Sequence, residues 1–583
     1  MASPLENHKA ALDQVSRWVE SKFKEASQLS TQELDATPVA NAAIGWRLPF
    51  EESGSLHLVL DQDFPYSEPR LIIEGRPLLL SGPHLEGKGK ICIAGDGGQF
   101  DTLNPVGVVE YVYREAVSLL EGNVAKENDA DFQHDFGAYW RREEQDEVPL
   151  RTLVAPKGPS RKIVGWSGNI TYVADDAALL TRFLKNTKRS ANAVLKPAFA
   201  IWMKRLPRPD EYPTSVDELR RFVASNSDDG LQVLDELLTN PNLPVAGVLM
   251  GPAGGNRPAG IGGIRIEEKS APYRPGRKVE DPLNKGFRPG KVPPAILAQR
   301  LQLKRMRVDE VDGAKSRRPS YLPAELSSKK VVLIGCGSLG SGIAKLLLQS
   351  GVEEIFLIDP DTMGWVNIER HELGATSVAH NKAEALTSEF QAKYPLAQVS
   401  GYPTTWLDLY RQNRQIFEAS DLIVTTCANW NAESALSDLQ QSGALPVPVL
   451  YGWLEESALA AHAVALDSNS PCFRCGFSVT GEPLFSVVRG SNGIPAGCGG
   501  GISLYGAIDM APAQAMIAGT ALDVLLGKAK AAVHRVWVCP KANLNAADAD
   551  WSPSWIAEHG SPPAGGTIVP CAWPEKEGCS CHS

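Results

Sequence analysis

The chain has 583 residues, 43% of them apolar and 22% charged, with a formal net charge of −10. At roughly 100–200 residues per domain this exceeds a single hydrophobic core and calls for about three to four domains. The 52 glycines and 42 prolines stay short of the ~25–30% that marks a low-complexity chain. The acidic balance argues against a dedicated nucleic-acid binder, which is usually basic, and no apolar run reaches the ~18 residues that span a bilayer. The N-terminal stretch MASPLENHKAALDQVSRWVESKFKE lacks the apolar core of a signal peptide. A cytoplasmic protein with no membrane and no nucleic-acid partner is expected.

In chain order, residues 1–25 place Leu12, Val15, Trp18, Val19 and Phe23 at helical spacing. Strands are expected at Ala43–Leu48 and Leu56–Leu60, followed by a Pro-framed turn from Phe64 to Pro69 and a strand at Arg70–Glu74. A loop carrying His84 and Cys92 then leads to a helix at Val108–Leu120. This is an α+β unit spanning 1–150 and closing soon after Trp140. Residues 151–250 carry no readable motif. From Gly251 to Arg300, 17 of 50 residues are Gly or Pro, and ten Lys/Arg face four Asp/Glu. Residues 151–327 are therefore expected to be a connector, loop-rich in its second half, its charge a solvated face before it is a dock for an acidic partner.

At Lys329 the character changes. Strand Lys330–Ile334, helix Ser338–Ser350, strand Glu354–Ile358, helix Lys382–Lys393 and strand Leu422–Thr426 alternate, which predicts a doubly wound parallel sheet over 328–540. A helix at about Pro512–Leu526, with its proline in the first turn, and a strand at Val533–Val538 complete it. Residues 541–583 read as a loop-like tail. The fold class is thus α/β and α+β, in several domains.

The run Val331-Val332-Leu333-Ile334-Gly335-Cys336-Gly337-Ser338-Leu339-Gly340 is a strand, a G-x-G-x-x-G turn and a helix start. Glycines at Gly335, Gly337 and Gly340 let the backbone approach a phosphate at the helix N-terminus, and Asp359, at the end of the next strand, can take ribose hydroxyls. To this point NAD and ATP serve equally. Asp361, Asn367, Arg370 and Lys382 follow, and an Arg and a Lys at one end of the sheet suit a triphosphate and an adenylating transition state.

The segment VVLIGCGSLGSGIAKLLLQSGVEEIFLIDPDTMGWVNIERHELG resembles the ThiF/MoeB superfamily of ubiquitin-like-protein activating enzymes, over about Lys329 to Val538. The resemblance implies adenylation of a protein's C-terminal glycine with ATP and Mg2+. It implies phosphate and ribose contacts from the glycine loop and Asp359, and ATP contacts from Asn367, Arg370 and Lys382. It further implies a homodimer in which Arg305, Arg307, Arg317 or Arg318 is lent to the partner. One departure is plain: where the family's D-C-T-D-N pattern carries a magnesium-binding acid, Thr425-Thr426-Cys427-Ala428-Asn429 has Ala428. Either Asp361 or another acid carries the metal, or activity is weakened.

Of the ten cysteines, only Cys92 precedes residue 336, and seven fall after residue 471. That is a pattern of metal-binding or nucleophilic thiols, not of a disulfide framework. Cys472-x-x-Cys475 matches half of the structural zinc site implied by the family; Cys579 and Cys581 are candidates for the rest, with Cys571 or His582 as substitutes. Cys498, in the glycine-rich run Pro495–Gly501, is similar in position to the thioester cysteine of autophagy-type activating enzymes, with Cys539 as fallback.

The segment from Ala43 to Leu120, with FPYSEP, His84, Gly89-Lys90-Ile91-Cys92-Ile93 and the helix after it, resembles the core of ubiquitin-conjugating enzymes, which implies that Cys92 is an acceptor thiol. The usual H-P-N tripeptide is missing, since Leu85 follows His84, so Asn104 or a backbone N–H is left to stabilise an oxyanion. The whole resembles the conjugating–activating fusion proteins of bacterial CBASS anti-phage operons. That implies adenylation, a thioester on Cys498, transfer to Cys92 and ligation to a target amine. The cargo would be a cGAS-like nucleotidyltransferase or a ubiquitin-like protein. A sulfur-carrier adenylyltransferase and a scaffold with weakened catalysis are the alternatives.

Overall fold

The amphipathic stripe at the N-terminus forms α1 (Pro4–Lys22), which buries Ala11, Val15 and Val19. The computed structural model describes the chain apart from residues 1–3, 51–53, 75–81, 87–88, 94–100, 141–145, 156–157, 191, 240–244, 252–259, 270–297, 312–323, 479–480, 491–504, 530–531, 561–564, 578, 580 and 582–583. The chain divides into two compact units, Met1–Leu180 with Ala193–Ser316, and Thr181–Asn192 with Arg317–Ser583. Among the described residues no helix is long and apolar enough to cross a membrane.

In the first unit, β1 (Ser27–Gln28), α2 (Thr31–Ala36), β2 (Ala42–Phe50), β3 (Gly54–Asp61) and β4 (Arg70–Ile73) follow α1, and the four strands pair antiparallel in chain order. One face of this sheet presents Leu48, Leu56, Leu58, Leu60, Leu71 and Ile73 to α1 and to α3 (Pro105–Ala125), which contributes Val109, Val112, Ala116 and Leu120. Alternation along the strands makes that face apolar. Two short helices, α4 (Asp131–His134) and α5 (Phe136–Trp140), carry the chain onward.

Where the sequence suggested a connector, the structure has a closed seven-stranded barrel. Its strands are β5 (Asp146–Thr152), β6 (Arg161–Ser167), β7 (Thr171–Ala174), β8 (Lys196–Trp202), β9 (Val245–Met250), β10 (Ile261–Glu268) and β11 (Leu301–Glu310), in the order β10-β11-β5-β7-β6-β8-β9. α6 (Ala177–Asn186) lies between β7 and β8, and α7 (Val216–Asn226) and α8 (Gly230–Leu238) between β8 and β9. β5 crosses residue 150, so the first barrel strand begins before the expected boundary. Much of the Gly/Pro-rich half lies outside the described residues, but β10 falls within it.

In the second unit, β12 (Lys330–Ile334), β13 (Glu354–Ile358), β14 (Gln398–Tyr402), β15 (Leu422–Thr425) and β16 (Val449–Leu454) run parallel in the spatial order β14-β13-β12-β15-β16. β17 (Ala460–Leu466), β19 (Val533–Val538) and β21 (Thr567–Cys571) extend the sheet antiparallel to eight strands, while β18 (Val488–Arg489) pairs with β20 (Asp550–Trp551). The expected doubly wound sheet is present. The strand order reverses between β12 and β15, the crevice where such sheets bind ligands.

Two expectations change here. The helix expected from Pro512 runs Ala507–Leu525, so its proline lies inside the helix and not in its first turn. The expected tail folds: it supplies helices Lys541–Ala546 and Pro553–His559 and the edge strand β21.

Candidate active site and metal centre

β12 turns through Gly335, Cys336 and Gly337 into helix Ser338–Ser350. Gly335 has φ +90°, a conformation side chains rarely adopt, and a Cβ on Gly340 would come within 1.9 Å of the Gly335 carbonyl oxygen. Gly337 is different: a Cβ there meets nothing within 4 Å. The first turn of the helix therefore opens to a ligand at its N-terminal cap, with N–H groups suited to an anion.

Asp359 braces this loop. Its Oδ2 accepts the Cys336 N–H (2.6 Å) and its Oδ1 the Asp361 N–H (2.8 Å). Burial raises its pKa, against the lowering effect of those two bonds and of Lys382. The sequence offered Asp359 for ribose; the structure adds a bracing role. His371, which no sequence motif marks, joins the same loop: its Nε2 lies 2.7 Å from the Cys336 carbonyl oxygen, and its Nδ1 accepts the Leu373 N–H (3.0 Å). Those partners put the proton on Nε2, and burial lowers its pKa, so the ring is held neutral.

Lys382 opens helix Lys382–Lys393, with Asn381 as its cap. A cation at a helix N-terminus opposes the dipole, so helix stability does not explain it. Its ammonium is 3.0 Å from Asp361 Oδ2, and its side chain is 12% exposed against 68% for Asp361. The Arg370 guanidinium lies over the Tyr505 ring at 4.8 Å, with Nη1 3.5 Å from the Tyr505 carbonyl. The amide oxygen of Asn367 accepts the Gly364 N–H (2.9 Å).

The connection after β15 closes the crevice. The Thr426 hydroxyl donates to the Gly335 carbonyl (2.8 Å), and Ala428 adopts φ +48°. Beneath it, Glu433 accepts the Thr425 hydroxyl (3.1 Å) and the Cys427 thiol (3.7 Å). Burial pushes the Glu433 carboxyl up to about 7. Among Asp359, Asp361 and Glu433, only Asp361 is open enough to meet a hydrated Mg2+, which keeps several of its waters when bound.

In the first unit, buried Ile91 anchors the strand-like segment ahead of Cys92 and leaves Cys92 half-buried beside it. The Cys92 N–H donates to the His84 carbonyl (2.8 Å). His84 Nε2 is 3.2 Å from Asp131 Oδ2, a partner 47 residues downstream that no local motif announces. Asn104 caps α3 through its amide oxygen to the Gly107 N–H (3.0 Å).

Cys498, Arg317, Arg318 and His582 lie outside the described residues. Arg305 stacks on Tyr212 and Trp140 within the first unit, and Arg307 pairs with Asp309. Cys539 is 2% exposed and burial pushes its thiol up to about 11, a poor setting for a fallback nucleophile.

Cys472, Cys475, Cys579 and Cys581 come together, their sulfurs all within 4.8 Å of one another. Neighbouring sulfurs stand 3.7, 3.4, 3.5 and 3.4 Å apart, close to the ~3.8 Å edge of a tetrahedron with Zn–S bonds of about 2.3 Å. The donor set therefore fits zinc. Cys571 is elsewhere, with His559 Nε2 at 3.7 Å. The indole of Trp573 donates to the Cys472 carbonyl (3.1 Å) and stacks on Phe473, so aromatic packing fixes the cluster from outside.

Residues 318–546 match the ThiF family and residues 18–149 match Prokaryotic E2 family B. Two relatives are named ATP-dependent ubiquitin transferase-like protein Cap2. That of Enterobacter hormaechei is 42% identical over 78 residues, 13% of this chain and 13% of its own. That of Pseudomonas aeruginosa is 28% identical over 175 residues, 29% of this chain and 30% of its own. The matched stretches thus span less than a third of either relative's length. Among solved structures, E. coli MccB with ATP is 17% identical at a TM-score of 0.31, over 45% of this chain and 70% of that one.

Proposed function

We propose that this chain, which joins a prokaryotic E2-family domain to a ThiF-family domain, activates the C-terminal glycine of a protein cargo with ATP and passes it through two thiols to a target amine. The observation that carries the reading is the Lys382 ammonium, held by Asp361 against its own helix dipole, beside a glycine loop that Asp359 and His371 brace. Lys382 and Arg370 would hold phosphate oxygens and stabilise charge as the cargo carboxylate attacks the α-phosphorus and pyrophosphate leaves. Gly335, Gly337 and Gly340 would cradle the phosphates, Asp359 and Asn367 would orient the nucleoside, and Asp361 would hold Mg2+, which would neutralise phosphate charge. The Cys498 thiol would then displace AMP from the acyl-adenylate, and Cys92 would take the acyl group by thioester exchange. A zinc ion on the four-cysteine cluster would be structural.

The Cap2 relatives' name, ATP-dependent ubiquitin transferase-like, supports the same chemistry. The cargo would be a cGAS-like nucleotidyltransferase or a ubiquitin-like protein, the setting anti-phage defence, and the working unit a homodimer. Ala428, where the resemblance implies a magnesium-binding acid, favours a second reading, a scaffold that keeps nucleotide without turnover.

ATP–pyrophosphate exchange with each candidate cargo separates the two. Wild type should exchange, and Lys382→Ala and Arg370→Ala should each lower the rate roughly 100- to 1,000-fold, the usual loss for one electrostatic contact to a transition state. Nucleotide binding without exchange for any cargo would favour the scaffold.

A further inference from the structure

The segment from His84 to Cys92 brings more to the thiol than the thiol itself. The Leu85–Ile91 bridge is antiparallel, which sets His84 opposite Cys92, with the Cys92 N–H on the His84 carbonyl at 2.8 Å. His84 sits at φ +60°, a left-handed conformation that is unfavourable for a side-chain-bearing residue. Three bonds hold it there: its N–H donates to the Tyr139 hydroxyl (3.0 Å), its carbonyl accepts from Cys92, and its ring Nε2 faces Asp131 Oδ2 at 3.2 Å. Backbone strain fixed in this way collects at functional sites. The His84 and Asp131 side chains are 28% and 42% exposed, so the pair can meet a reactant arriving from solution.

We propose that His84, oriented by Asp131, accepts the proton of the amine that discharges the acyl group from Cys92. The assignment rests on the two-thiol reading, in which Cys92 carries that acyl group. Asp131 is an acceptor, so it fixes the tautomer with the proton on Nε2 and leaves the Nδ1 lone pair as the base. The amine nitrogen attacks the acyl carbon, a C–N bond forms, and the C–S bond to Cys92 breaks with its electron pair on Sγ. One proton of the incoming ammonium passes to His84 Nδ1 and then to solvent, which frees the nitrogen lone pair for attack, and the second proton lost as the amide forms goes to the departing Cys92 thiolate. This gives the missing H-P-N tripeptide a functional counterpart at a different step, proton transfer in place of oxyanion stabilisation.

The test loads the full chain, in a Cys498→Ala background, with a glycyl-peptide thioester of mercaptoethanesulfonate, and confirms acylation of Cys92 by peptide mass. Discharge is then timed with lysine, which is mostly protonated at pH 7, and with hydroxylamine, which is already neutral. His84→Asn keeps a residue that tolerates the left-handed backbone, and Asp131→Asn keeps the shape of its partner. Both should load normally and discharge to lysine roughly 100-fold more slowly, a typical loss for a general base. Hydroxylamine should be little affected, and added imidazole should restore part of the lysine rate in His84→Asn. If the two nucleophiles slow together, or neither slows, the assignment is overturned. If wild type never holds the acyl group at Cys92, the two-thiol reading fails first and takes the assignment with it.

Discussion

Two glycines of one loop make different demands, and substitution separates them. A Cβ at Gly340 would stand 1.9 Å from a backbone oxygen, so Gly340→Ala should cost on the order of 2–3 kcal/mol, as overpacking does, and lower the thermal midpoint. A Cβ at Gly337 meets nothing within 4 Å, so Gly337→Ala should leave the midpoint almost unchanged. It should still weaken ATP binding about tenfold, or about 1.4 kcal/mol, if phosphate approaches there; calorimetry and a melting curve distinguish the two. Glu433 makes a prediction about pH. Burial raises its carboxyl from 4.5 to about 7, so the folded state keeps a proton that the unfolded chain releases. Its contribution is complete below pH 4.5 and is lost as the pH rises through about 7, on the order of 3 kcal/mol. Glu433→Gln mimics the protonated acid. It should melt with wild type at pH 4 and above wild type at pH 8.5, whereas parallel curves would show that the carboxyl ionises normally.

At the scale of elements, the nucleotide-binding half was legible and the barrel was not, for one physical reason. Lys330–Ile334 and Glu354–Ile358 are strands of a parallel sheet covered on both faces, so each reads as an apolar run punctuated by glycine or aspartate. Barrel strands β8, beyond Lys196, and β9 are also apolar. Ala198, Ala200, Val248 and Met250 face one core, while Phe199, Ile201, Val245 and Leu249 face another beneath α7 and α8. Alternation, the usual signature of a strand, is erased when both faces are buried, and no glycine motif marked the turns. The last residues misled for a different reason: β21 is short, with a proline at Pro570, and its worth lies in pairing with β19. Removing residues 561–583 should therefore expose the β19 edge and abolish metal binding, seen as aggregation by light scattering and as lost zinc by elemental analysis. Elemental analysis of the whole chain should give one zinc per chain, lost in Cys472→Ser and kept in Cys571→Ser; equal loss in both would place the metal elsewhere.

For the whole molecule, the sequence carried the identity of the two chemical modules further than their partners. The glycine loop, Lys382 and the four cysteines could be named because their chemistry fixes residue types at short spacings. His371, Glu433 and Asp131 could not, because each acts through a contact that only the folded chain creates. In the proposed relay, a conjugating-type thiol and an activating-type site on one polypeptide would make the second transfer an intramolecular step, or one within a dimer. The function of the chain then turns on whether one acyl group visits both thiols.

The most direct measurement is intact mass and non-reducing electrophoresis of the protein with ATP, Mg2+ and a candidate cargo, for wild type, Cys498→Ala and Cys92→Ala in parallel. A reductant-sensitive adduct is expected in wild type, absent in Cys498→Ala and confined to Cys498 in Cys92→Ala. An adduct on Cys92 that survives Cys498→Ala, or nucleotide binding with no adduct for any cargo, would contradict the relay.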